Sequence, residues 1–139
     1  PISLAAGRAV LHYLQQKNLV RAADSEQQAT PAGAFKRVLA TLLSEESVGD
    51  VRGIGLLWAI EFVADKNTKR PFPADFGFSS KVGAAALKRG LLVYPMQGSV
   101  DGISGDHILL APPAIITTEQ ISWSVEQLSA SIREAQKEL

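Results

Sequence analysis

Residues 105–116, GDHILLAPPAII, place Asp106 and His107 at the mouth of a short apolar run that ends on Pro112 and Pro113. A carboxylate beside an imidazole can do acid–base work if a third group converges on them. Ser104 is the nearest hydroxyl. Residues this close on an extended segment point in alternating directions, so Ser104, Asp106 and His107 do not form a nucleophilic triad. A metal site would need His12 and His107, which lie far apart and in neither an H-x-H nor an H-x-x-x-H pattern. The run DGISGD lacks the residue order and closing glutamate of a calcium loop and reads as tight turns with aspartates bonding their own backbone. GIG at residues 53–55 has Trp58 where a dinucleotide fingerprint needs its third glycine, and a strand follows it where the fingerprint needs a helix. There is no G-x-S-x-G and no Walker loop. Of the seven lysines, Lys17, Lys36, Lys81, Lys88 and Lys137 fall on polar faces or ends of helices, and Lys66 and Lys69 lie in a polar turn. None has the desolvated setting that Schiff-base chemistry requires. No self-contained active site is legible.

The elements that must carry these residues alternate in period. ISLAAGRAVLHYLQQK reads as a helix with a broad apolar face of Leu4, Val10, Leu11 and Leu14. RAADSEQQAT reads as a turn with a fragment of helix. In TPAGAFKRVLATLLSEE, Thr30 is an N-cap with Pro31 at the first helical position, and Phe35, Val38, Leu39 and Leu42 share a face. Then the period becomes two. Leu56, Trp58, Ile60 and Phe62 alternate with Leu57, Ala59, Glu61 and Val63. Both sets are largely apolar, which predicts a central strand covered on each side. Residues 48–52 predict its partner, with Gly53 and Gly55 at the bend. Glu61 shares a side with Leu57 and Val63 and needs an ion pair or hydrogen bond if covered. FSSKVGAAALKRG reads as a helix closed by Gly90 at C′. LLVYP and HILLAPP read as strands around a glycine-rich loop. The closing helix starts with Thr117 and Gln120 spaced as a capping box and aligns Ile121, Val125, Leu128 and Ile132.

The result is an α/β (α+β-like) sandwich with a small sheet. Trp123 lies about 200° around the last helix from Ile121, off its apolar stripe, and the first helix is apolar over much of its circumference. Both features point to a missing neighbour.

At 139 residues the chain is one domain, with residues 1–45 as linking and packing helices and 46–139 as sheet with helices. Fourteen basic and fourteen acidic residues cancel, which gives no electrostatic argument for nucleic acid or an anionic membrane. Cysteine is absent, excluding disulfides and thiolate metal sites. Glu61, Pro112 and Pro113 break the apolar runs well short of the ~20 residues a membrane helix needs. Residues 2–14 are amphipathic, unlike a signal peptide. The expectation is a soluble, cytoplasmic chain, and Pro1 in place of an initiator methionine hints at an upstream portion.

VGDVRGIGLLWAIEFVADKNTKRPF, GLLVYP, GDHILLAPPAIITTEQ and the closing amphipathic helix, in that order, resemble the C-terminal part of class III aminotransferases. PISLAAGRAVLHYLQQKNLV is similar to the helix that joins the large and small domains of that family. The resemblance covers nearly the whole chain. It implies the small domain of a fold-type I pyridoxal phosphate enzyme, with a mostly antiparallel sheet of about four strands. The parent is then a homodimeric transaminase acting on an amine and a keto acid. The resemblance places the Schiff-base lysine, the pyridine-binding aspartate and most of the phosphate cup before Pro1, so no catalytic or cofactor-binding residue carries over, and this piece alone is expected to be inactive and to bind no cofactor. It makes the segment a wall of the substrate channel. Where amino-acid transaminases of the family commonly place a carboxylate-binding arginine, this chain has Leu109. Asp106 and His107 face the channel and select a cationic or polar group, or they are a turn residue and a solvated strand end. Tyr94 hangs over the channel, or its ring packs with its hydroxyl satisfied. The rival reading is a free-standing, non-catalytic α/β domain that binds a ligand or partner.

Overall fold

In the computed structural model, residues 1–24 and 29–139 are described. The glycine pair after residue 52 produces a hairpin. β1 (Val48–Ile54) and β2 (Leu57–Phe62) pair antiparallel, with Gly55 at φ +59 in the turn. Gly53 stands opposite Trp58, and a Cβ on it would lie 2.3 Å from the Leu57 carbonyl oxygen, so the close approach requires glycine. β3 (Tyr94–Met96) and β4 (Asp106–Leu110) complete a four-stranded, wholly antiparallel sheet in the order β1-β2-β4-β3.

Among the described residues, helices cover one face of the sheet. α3 (Pro31–Ala40) begins as its sequence dictates, with the Thr30 hydroxyl accepting from the Gly33 N–H and Pro31 at the first position. α4 (Phe78–Lys88) is followed by Gly90 at φ +81. α5 (Thr118–Gln136) carries both halves of the Thr117–Gln120 capping box. The stripes of α3, α4 and α5 meet Ile60, Phe62 and Ile108 in one core. Phe62, Phe72 and Phe78 fill its end, with Phe72 and Phe78 stacked at 4.5 Å and Phe62 edge-on to Phe78 at 5.1 Å. Glu45 ties the turn after α3 to α5 by accepting from Ser129 Oγ and Arg133 Nε, each at 2.9 Å. α1 (Ile2–Gln16) buries no residue, and the short α2 (Leu19–Ala22) follows it. The rest of the expected turn, residues 25–28, lies outside the described residues.

Two expectations are corrected. Among the described residues β2 is covered on one face: Trp58, Ile60 and Phe62 are buried, whereas Leu57 is exposed and Ala59 and Glu61 are half-buried. The strand expected at residues 91–95 is displaced to Tyr94–Met96. The Leu91 N–H is still committed to the Ala86 carbonyl at the end of α4, and pairing with β4 starts only when the chain has left that turn. Among the described residues no helix is long and apolar enough to cross a membrane.

Candidate functional site: an uncharged cavity beside the open sheet face

The pleat of β4 sorts the opening stretch into two sets. Asp106 and Ile108 are fully buried on the helix-covered face, and His107 and Leu109 project to the open one. The open face is built in cross-strand rows. Asp50, Glu61, His107 and Met96 form one row, and Arg52, Ala59, Leu109 and Tyr94 the next. Arg52 spans both, donating to Asp50 Oδ2 at 2.8 Å and Glu61 Oε2 at 2.5 Å. The Asp50 bond first, and the Glu61 bond second, hold its pKa above the ordinary guanidinium value. Glu61 thus has the ion pair its position demands.

Leu109 and Tyr94, facing each other across β3 and β4, line a cavity of about 660 Å³. It continues past Leu110, Pro112 and Ile116 to Trp123 and Ser124 on α5. Two prolines end β4 where it would otherwise run on, so the chain turns over the cavity before the Thr117 cap starts α5. No charged side chain lines the cavity among the described residues.

Asp106 is placed elsewhere, which corrects both readings of it. Its Oδ1 accepts from the Ser79 N–H at 2.8 Å, from Ser79 Oγ at 2.7 Å and from Gln97 Nε2 at 3.3 Å. Gly77, the residue before α4, has no side chain to cap the helix, and a carboxylate from a strand does it. Asp106 is therefore neither a channel residue nor a solvated turn. His107 lies between Glu61 and Met96 on the open face, half-buried, with Nδ1 buried and without a partner among the described residues. It does not line the cavity. Of the four candidates, the structure brings together Leu109 and Tyr94 only. It adds Trp123, Leu57 and residues 91–93, which sequence reasoning did not assign to a site. The available signal was Trp123 lying off its helix stripe.

The class-III aminotransferase family model matches residues 1–132. The chain belongs to that family. An aminotransferase of Schizosaccharomyces pombe is 41% identical over 134 residues, covering 95% of this chain and 28% of its own length. One from Bacillus subtilis is 32% identical, covering 100% of this chain and 30% of itself. Among solved structures, the adenosylmethionine-8-amino-7-oxononanoate aminotransferase of Methanocaldococcus jannaschii superposes with a TM-score of 0.77 at 30% identity, over 93% of this chain and 26% of that one. The chain thus spans less than a third of the relatives it matches. Class III aminotransferases work with pyridoxal phosphate, so the cavity can be tested for its fit. It has no lysine to bond the aldehyde and no cationic cradle for the phosphate. Lys66 donates to the Leu43 and Glu45 carbonyls, Lys69 to the Gly49 carbonyl and Lys81 to Glu138. The lining residues do not fit the cofactor.

Proposed function

We propose that this chain is the C-terminal substrate-channel and packing domain of a class III aminotransferase. Its parent transfers an amino group from an amine or amino acid to a keto acid, as a homodimer in the cytoplasm. The observation that carries the reading is the pairing of a family match over residues 1–132 with a cavity that offers a shaped wall and no chemistry of its own. On this reading Leu109 and Tyr94 are the part of the channel wall that this chain supplies. With Leu109 at the resemblance's arginine position, the wall does not anchor a substrate carboxylate. The uncovered α1 and the part of the open sheet face away from the cavity, the Asp50–Glu61–His107 row, are the surfaces on which the upstream large domain packs. Schiff-base and phosphate-binding groups come from that domain.

The test compares two polypeptides supplied with pyridoxal phosphate: the 139-residue chain, and the whole product of its reading frame. Transamination by the second and none by the first is expected. Stoichiometric, borohydride-reducible attachment of the cofactor at one lysine of the 139-residue chain overturns the division of labour. A whole product without transaminase activity returns the chain to the rival class of non-catalytic binding domains.

A further inference from the structure

We propose that the cavity beside Leu109 receives an uncharged aryl or branched-alkyl group, and that Trp123 is the residue that sets this specificity. The volume, about 660 Å³, falls in the range of small-molecule pockets. Its lining is apolar apart from Gln120, Ser124 and the polar tips of Tyr94 and Trp123. Two of those polar groups are already engaged, since Ser124 Oγ donates to the Gln120 carbonyl and Gln120 Oε1 accepts from the Thr117 N–H. A carboxylate or ammonium carried into this space finds no counter-charge among the described residues, and an ion buried without a partner loses its hydration with nothing in return. Arg52 is the cation in the Leu109 row, two strands away, and Asp50 and Glu61 hold it.

The side chains at the mouth point to the same ligand class. Leu57, Leu92, Tyr94 and Trp123 are 54%, 82%, 64% and 45% exposed. They gather around one opening, and an apolar occupant removes that surface from water. Trp123 takes no place in the α5 core stripe of Ile121, Val125, Leu128 and Ile132, yet it lines the cavity. A flat indole on a rigid helix offers an aromatic or branched guest a stacking surface. Within the aminotransferase reading, on which the substrate class rests, the guest is the side chain of the amino donor or of the keto acid. Donors with anionic side chains are then poor substrates for this wall.

The experiment follows the tryptophan indole N–H resonances of the 139-residue chain and of its whole reading-frame product. Benzyl alcohol and benzoate, the same ring without and with charge, are titrated in turn. Trp58 is the internal control, because it is buried and its indole N–H donates to the Gly55 carbonyl. The expected result in both polypeptides is a saturable shift of the Trp123 resonance with benzyl alcohol, at least about tenfold weaker with benzoate, with Trp58 unmoved. Trp123→Ala, with benzyl alcohol binding read from the backbone amide resonances of Leu109 and Leu110 in the cavity lining, weakens binding about tenfold, as loss of an aromatic contact predicts, and an unchanged Trp58 resonance shows that the fold persists. No saturable shift, or equal affinity for the two probes, overturns the proposal. So does a response in the short chain that disappears in the whole product, because the cavity is then filled by another part of the polypeptide. The two readings fail separately. Selective benzyl alcohol binding with no transamination by the whole product removes the aminotransferase reading and leaves the ligand class. Transamination without a Trp123 response does the reverse.

Discussion

Asp106→Ala tests whether the aspartate of the opening stretch holds the fold together. In the native chain Asp106 is fully buried, and one carboxylate oxygen accepts from both the backbone N–H and the hydroxyl of Ser79. Removing the side chain leaves two donors at the start of α4 without an acceptor in a place water does not reach. Each buried unsatisfied group costs about 1–3 kcal/mol, and loss of a helix cap costs about 1 kcal/mol. Part of this is returned, because Asp106 Oδ2 is itself buried without a partner among the described residues and its desolvation is relieved. The net expectation is a loss of about 3 kcal/mol, a large share of the ~5–15 kcal/mol that holds a domain folded. Asp106→Asn keeps the shape and an acceptor for Ser79 and gives up only the charge, so it costs about 1 kcal/mol. Urea unfolding followed by far-ultraviolet circular dichroism reads both, with the dependence on urea unchanged if the unfolded state is unaffected. If Asp106→Ala costs less than about 1 kcal/mol, the capping argument is refuted. If Asn costs as much as Ala, the charge and not the acceptor geometry does the capping.

Gly53→Ala brings a Cβ to within 2.6 Å of Trp58 Cδ2 and 2.7 Å of its Cα, against a backbone held in register with β2. We expect a loss of about 3 kcal/mol, at the upper end for overpacking, measured by the same unfolding assay; near-neutral behaviour means that the hairpin can open without cost. Asp101 turns the loop after β3 by accepting from the Ile103 and Ser104 N–H groups, and these bonds, Ser104 first, hold its pKa below the ordinary aspartate value. A lowered folded-state pKa means that the turn's contribution is complete above the ordinary value and is lost as pH falls through the lowered one. The amide shifts of Ile103 and Ser104 should therefore move with a midpoint below the usual aspartate range, and a midpoint at the usual value refutes the assignment.

Local signals gave the helices. Thr30 with Pro31, and Thr117 with Gln120, fix where α3 and α5 begin, because a cap is satisfied within three residues of itself. Gly90 marks the end of α4 for the same reason. What failed was any inference that needed the third dimension. The apolar residues on both sides of β2 looked like two-sided burial, yet Leu57 and Ala59 lie on a face that no described element of this chain covers. Period-two apolarity shows that both faces of β2 tolerate burial, but only the packing of other elements decides which face is covered, and that packing is not written in the strand itself. The role of Asp106 is not legible in the sequence for a related reason. Its partner, Ser79, is 27 residues earlier, and no pattern around either residue announces the bond.

The position of each residue along β4 fixes which of them line the cavity. Asp106 shares its face of β4 with Leu110, which lines the cavity, so the carboxylate is kept away by its place at the other end of the strand and by its bonds to Ser79. Asp106 is turned inward to α4, and His107 is turned outward beside Glu61, in the row next to that of Leu109. The two ionisable groups that drew attention to the stretch are thereby kept out of the cavity, and what reaches it is Leu109, Leu110 and the prolines. An anion reader at position 109 requires no change in the backbone, only a longer cationic side chain on the same face of β4. Leu109→Arg in the whole polypeptide is therefore the substitution that exchanges an apolar wall for an ionic one. It should raise kcat/KM for a donor with a carboxylate side chain relative to an uncharged donor of equal size by about tenfold, the share of one charge-assisted contact. An unchanged ratio would mean that position 109 does not face the substrate, and the channel-wall reading of β4 would fall with it.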